Sequence, residues 1–487
     1  KGANSVATNT VLGVNALDAA VTGTNNTAVG NQALTLNTSG TENTSVGSET
    51  LEANTTGQRN TAVGYRALED NVTGNYNTAV GAYALPENTT GNHNVAIGRN
   101  ALRYATTADQ NTAVGGLALD GTTTGNNNVA VGYYALKANT TAAENTAVGA
   151  YSLDANTTGT PNTAIGYNSL TSNTTGGSNT ACGKSALQNS TTADHNTAVG
   201  NNCLLSNTTG ASNTAVGSLA LDANTTASNN TAVGRSALSA VTTATQCTAV
   251  GSLAADASDA GNICAFGYGA LTDNTTGADN NAFGTASLAN NTTATRNNAF
   301  GTSAMQTNTI GAYNCAFGYA ALFANTTASY NSAFGHLALQ ANTTGTNLAA
   351  IGAFALDANT TGNNNTAVGY NALSSETTGS NATGIGFAAG LNNTTGTITA
   401  LGSQALFTNT TGNNNTALGI SALYTNTADN NTAVGHAALT ANTTGTMNIA
   451  MGGFTLDANT TGSWNSAFGY GALSSNTTAS YNSAFGY

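Results

Sequence analysis

The sequence predicts an all-β repetitive solenoid or β-roll of about 28 rungs, and three observations predict it. One nine-residue phrase recurs along the whole chain, its glycine falls at a fixed spacing, and two of its columns stay apolar. The phrase reads NTAVGYRAL from Asn60, NTAVGNQAL from Asn26, NTAVGAYAL from Asn77 and NTALGISAL from Asn415. Its glycine stands at 13, 30, 47, 64 and onward to 486, a period of 17, and the 473 residues from Gly13 to Gly486 equal 28 × 17 less 3. The three missing residues belong to 16-residue repeats at 251–267, 386–402 and 419–435. Residues 1–487 thus read as a single continuous array, and a chain running from Lys1 to Tyr487, part-way into a repeat, reads as a slice of a longer fibre protein.

Composition describes one uniform body. Charged residues are 6% of the chain and Pro is 2 in 487, so solubility rests on Asn, Thr, Ser and Gly. Only 9 Lys plus Arg stand against a formal net charge of -12, with no basic cluster to neutralise phosphates, which argues against nucleic acid. No apolar run approaches the roughly 20 residues that span a bilayer, so no membrane span is expected in this slice. Disorder is disfavoured because 40% of residues are hydrophobic and stand in strict phase.

Within one repeat the elements follow in order. The residue before the glycine is apolar (Val29, Val63, Ile97, Phe266, Phe283, Phe300, Phe317, Phe334, Phe468), and the residue four after it is almost always Leu, as in Leu34 and Leu68. These two columns are the expected core. Thr, Val and Gly are poor helix formers, so the segments on either side of the glycine read as two short strands joined by a bend. Where the apolar residue is Phe, the position two before it changes from Thr to Cys, Asn or Ser, as at Cys264, Asn281, Asn298, Cys315 and Ser332. Residues i and i+2 share a strand face, so the pair is expected to share the inside, and the intervening Ala28, Ala62 and Ala79 to form a small outward packing face. The remaining NTTG, as at Asn54 to Gly57, is turn chemistry.

One repeat cannot fold alone. Burying one Val-sized and one Leu-sized side chain yields about 1.5 to 3 kcal/mol each, against about 1 to 2 kcal/mol of backbone entropy per ordered residue. Stacked rungs with aligned Asn and Thr overcome this, at about 4.8 Å per rung. The Ala face then asks for a neighbour, so a side-by-side homotrimer forming a rod is expected, with the chain as its own partner.

The unit N-T/S-A-V/I-G followed by x-x-A resembles the head repeats of trimeric autotransporter adhesins, and NTAVG-x-x-AL with NTTG resembles arrays in phage and other viral tail fibres. The resemblance covers essentially the whole chain, although its 17-residue period is a few residues longer than the adhesin unit. It implies an extracellular, cell-surface or virion-attached fibre, and it transfers no catalytic residue.

Candidate chemistry is sparse. His93, His195, His336 and His436 lie about a hundred residues apart and cannot share a metal on such a stack. Cys182, Cys203, Cys247, Cys264 and Cys315 lack CxxC spacing and read as small hydrophobes. Asp18, Asp120, Asp154, Asp222, Asp357 and Asp457 share a column mostly on non-adjacent repeats, without a calcium-ladder turn, and read as solvated acids. No catalytic, cofactor or metal residues are therefore expected, and no enzyme. Asn54, Asn88 and Asn139 head N-x-Thr sequons and are candidate N-glycosylation sites. Exposed Tyr65, Tyr83, Tyr133, Tyr134, Tyr151, Tyr167 and Trp464 are candidate glycan contacts or scattered surface aromatics. The expected function is a structural shaft presenting an adhesive element, with receptor or glycan contact through regions outside the slice. The alternatives are a self-assembling filament or sheath subunit and an ice-binding solenoid. Against ice binding, the Thr of NTAVG is expected to face inward and TTG to lie in a turn.

Overall fold

Each 17-residue repeat makes one turn of a parallel β-solenoid, and residues 6–487 are described in the computed structural model. Among the described residues there is no helix. The chain divides into two compact units, Lys1–Gln246 and Cys247–Tyr487. The first carries the strands from Thr10–Leu12 to Thr231–Val233, the second those from Thr248–Val250 to Ser483–Phe485. In the first unit each strand pairs in parallel with its copy one repeat on, as Thr61↔Thr78, Ala62↔Ala79 and Val63↔Val80. In the second, Asn281↔Asn298, Ala282↔Ala299 and Phe283↔Phe300 do the same. The shortened repeats keep this register, as Thr248↔Cys264, Thr383↔Thr399 and Thr416↔Thr432. Their missing residues fall in turns: Asn426 Nδ2 reaches Ala428 O two residues on, where Asn71 reaches Gly74 three on.

A coil holds one strand rather than two. The segment carrying the Leu is a run of turns in which Leu itself is left-handed, φ 53° at Leu34 and 55° at Leu68. That backbone costs roughly 1–2 kcal/mol in an ordinary residue. It is offset because the Leu side chain is buried and its N–H donates to the next coil, Leu68 N to Ala84 O at 3.0 Å. The motif glycine is obligatory for a different reason. Gly64 has φ 130°, and a methyl there would come within 2.7 Å of the Gly81 carbonyl carbon in the next coil.

The strand faces are inverted relative to expectation. Ala28, Ala62 and Ala79 point inward and are fully buried, beside Leu34 and Leu68, while Val63 is 37% exposed and Phe334 40%. Ile97 is likewise exposed, and Val29, Phe266, Phe283, Phe300, Phe317 and Phe468 are half-buried on the same outer face. The expected core role of the residue before glycine is thereby corrected, and so is the outward Ala face. Coil width is the physical cause. At Gly384, in the Ala column, even an added methyl would lie 2.8 Å from Leu373 Cγ, so Val or Phe does not fit inside. The covariation of Phe with Cys, Asn or Ser is real same-face coupling, acting on the outside, where Phe266 to Phe334 stack ring on ring at centroid spacings of 4.5–4.9 Å.

Candidate functional site

Two buried amide ladders run along the coils. In one, Asn60 Oδ1 accepts the N–H of Asn77 at 2.9 Å, and Asn60 Nδ2 donates to Gly74 O at 2.8 Å. In the other, formed by the NTTG asparagines, Asn71 Nδ2 donates to Asn54 Oδ1 at 2.8 Å and to Gly74 O at 3.1 Å, while its Oδ1 accepts from Asn88 at 2.8 Å. An amide suits this place because it donates and accepts at once, so identical coils satisfy one another. Asn54, Asn88 and Asn139 are therefore buried members of the ladder. A glycan on Nδ2 would need that atom in solvent and would remove its ladder bonds, so the folded chain does not carry sugar there.

Interruptions of the ladder leave visible gaps. Asn88 Oδ1, Asn173 Oδ1 and Asn224 Oδ1 are buried without a hydrogen-bond partner, and the next coil places Ala105, Ser190 and Val241 at the ladder position. Near the division between the units both ladders change: Val241 and Ser258 replace one asparagine, Cys247 and Ile263 the other. Glu376 is the one charged side chain at a ladder position among the described residues, and it is fully buried.

The outer strand face carries Thr, Ser, Asn, Cys and Ala beside Val, Ile, Leu, Met and Phe, and no charged residue on any described strand. Its Thr column is in register, Thr27 beside Thr44, Thr44 beside Thr61 and Thr61 beside Thr78. A second Thr, as at Thr56 and Thr90, is exposed in the NTTG turn.

The aromatics are clustered rather than scattered. Tyr133, Tyr134, Tyr151 and Tyr167 form a chain of ring contacts at 4.1–6.1 Å, Tyr65 meets Tyr83 at 5.3 Å, and Trp464 stacks on Tyr481 at 6.2 Å. Spacing by one repeat brings them together. The array also contains a groove of about 610 Å³, with Arg66, Glu69, Tyr83, Arg99, Arg103 and Tyr104 in its lining. Five of the nine Lys and Arg lie between Arg59 and Lys137, a signal present in the sequence but easily lost in the low overall charge. The groove's chemistry is largely self-satisfied. Arg66 Nε bonds Glu49 at 2.5 Å and approaches Glu69 at 3.7 Å, and Arg103 faces Asp120 at 3.3 Å. Burial raises the Glu69 and Glu87 carboxyls above their ordinary range, with Asp70 adding like charge to both.

Among the described residues Glu49, Glu52 and Glu69 are the carboxylates close enough to hold a cation together. Arg66 already supplies that charge, and Gln32 donates to Glu52 at 3.1 Å. His93 stacks on Tyr76 at 4.8 Å, His336 on Tyr319 at 5.4 Å, and His436 lies edge-on to Phe454 at 4.9 Å. Cys203 and Cys247 are buried, with burial pushing their thiols up to about 12 and about 11; Cys182, Cys264 and Cys315 are half-buried on the outer face. The Asp column is less solvated than expected. Asp120 is buried, Asp154, Asp222 and Asp357 are half-buried, and burial raises all four carboxyls.

Neither a protein-family model nor a curated protein matches the sequence. No helix of the described residues is long and apolar enough to cross a membrane.

Proposed function

We propose that the chain is the structural shaft of an extracellular or virion-attached fibre, holding an adhesive element carried outside the array away from the surface that bears it. The supporting observation is the bonding from coil to coil within each unit: strand pairing and Leu N–H bonds recur from turn to turn, and amide ladders run through most of the coils. Such an array adds reach and stiffness with every repeat and spends its buried polar groups on self-support. Its partner is itself. With the Ala column used inside each coil, side-by-side association into a homotrimer uses the uncharged outer Thr, Val and Phe face, whose exposed apolar stripe a partner would cover. Light scattering after size exclusion tests this. A particle of about 144 kDa, three times the 48.0 kDa chain, that falls to the single-chain mass in Phe300→Lys supports the trimer through this face. A wild-type chain at 48.0 kDa refutes the trimer.

A second reading is favoured by one observation. The Thr column stands outward in register on a parallel strand face, the reverse of the inward placement that argued against ice binding. A regular face of hydroxyls and methyls is the chemistry an ice surface would meet. Thermal hysteresis in a freezing-point measurement, lost in Thr61→Lys with Thr78→Lys, would establish it, and its absence in the wild type would remove it.

A further inference from the structure

The geometry points to Glu376 being carried as a neutral carboxylic acid, whose proton takes the place of a ladder amide and whose loss loosens the coils around it. The ladder position requires a donor. In the coil before, Asn359 Nδ2 donates to Asn342 Oδ1 at 3.0 Å and to Gly362 O at 3.2 Å. Glu376 stands where the next amide would be, and an ionised carboxylate has no hydrogen to give. Its Oε2 accepts from Asn393 Nδ2, continuing the ladder on that side. Its Oε1 is buried without a hydrogen-bond partner and lies so close to Gly379 that a methyl there would meet it at 2.2 Å. The vacated acceptor, Asn359 Oδ1, is reached only by Asn365 Nδ2, at 3.4 Å. A proton on Oε1 turns the orphaned oxygen into the donor that the ladder lacks.

The surroundings keep that proton in place. Burial raises the Glu376 carboxyl to about 7, with the nearby Gly379 N–H, which makes no well-formed hydrogen bond to it, and the Asn393 amide pulling the other way. Residues 352–402 contain no Lys, Arg or His; their other titratable side chains are Asp357, two residues before Asn359, and Tyr370. No cation is thus supplied by Glu376's own coil or its two neighbours. The folded group binds its proton more tightly than the unfolded one, whose ordinary value is 4.5. The native state therefore holds more protons between pH 4.5 and about 7, local stability falls with rising pH through that window, and it is flat above.

Two measurements on the full chain test this. In difference infrared spectra, the wild type should show a protonated-carboxyl band that persists past pH 6 and is absent in Glu376→Gln. Hydrogen exchange, corrected for intrinsic rate, should show amides between Asn359 and Gly396 opening about 100-fold more readily at pH 8 than at pH 5. Glu376→Asn, which restores the ladder residue, should abolish that dependence. A carboxylate already ionised at pH 5.5, or the same exchange profile in the wild type and Glu376→Asn, would overturn the assignment.

Discussion

Placing an asparagine where the ladder has lost one should stabilise the coils on either side. At Ala105 the chain offers a buried methyl, and Asn88 Oδ1 in the preceding coil is left buried without a partner. In Ala105→Asn the new Nδ2 can donate to Asn88 Oδ1 and to Ala108 O, as Asn71 donates to Asn54 and Gly74 at 2.8 and 3.1 Å. Relieving one buried orphan acceptor is worth about 1–3 kcal/mol, against about 1 kcal/mol for fixing the added side chain. A net gain of up to about 2 kcal/mol is expected. The converse change, Asn71→Ala, strands Asn54 Oδ1, while Gly74 O keeps Asn60 Nδ2 and Asn88 Nδ2 keeps Gly91 O, which should cost about 1–3 kcal/mol. Native-state hydrogen exchange is the suitable assay, because a linear array opens locally and whole-chain melting would blur a single coil. Ala105→Asn should slow exchange between residues 88 and 122, and Asn71→Ala should speed it between 54 and 88. The ladder argument fails if the folded Ala105→Asn chain gains no protection and Asn71→Ala loses less than about 1 kcal/mol.

Other substitutions test the same architecture. Ala62→Val should destabilise by about 1–3 kcal/mol or more through overpacking, whereas Val63→Thr should change stability by less than about 0.5 kcal/mol; native-state hydrogen exchange in the coils around residue 62 separates the two, and the reverse order would restore the inward Val. Gly64→Ala should cost at least about 2 kcal/mol, because the methyl is both left-handed-strained and in contact with Gly81, and native-state hydrogen exchange of the amides around residues 64 and 81 should speed up accordingly. With a thiol reagent at pH 8, Cys264 and Cys315 should react in the native state while Cys203 and Cys247 wait for unfolding, as their raised thiol values and burial require.

Much of the architecture is legible in the residues. The 17-residue spacing implies coils, the Thr, Val and Gly content excludes helix, the Leu column marks the core, and the short repeats lose residues from turns. What misleads is hydrophobicity taken without volume. Val and Phe outrank Ala as apolar residues, yet the coil is so narrow that Ala62 fits inside and Val63 does not. Asn54 read alone is a turn residue and a sugar acceptor. Its burial is visible only when the same amide from the neighbouring coils is placed above and below it. The Leu segment was expected as a strand because nothing local announces that Leu68 adopts a left-handed backbone; coil-to-coil bonding holds it there. The groove beside Arg66 and Tyr83 and the tyrosine clusters come from residues about one repeat apart becoming neighbours, so they emerge from the stacking rather than from any one motif.

The mechanical role of the array is tested most directly by pulling the full chain from both ends in a single-molecule force experiment. A load-bearing stack predicts resistance followed by cooperative steps, each a whole number of coils and releasing roughly 56–61 Å of chain per coil, since 17 residues extend at roughly 3.3–3.6 Å apiece. Smooth extension at negligible force, with no steps, would contradict the shaft.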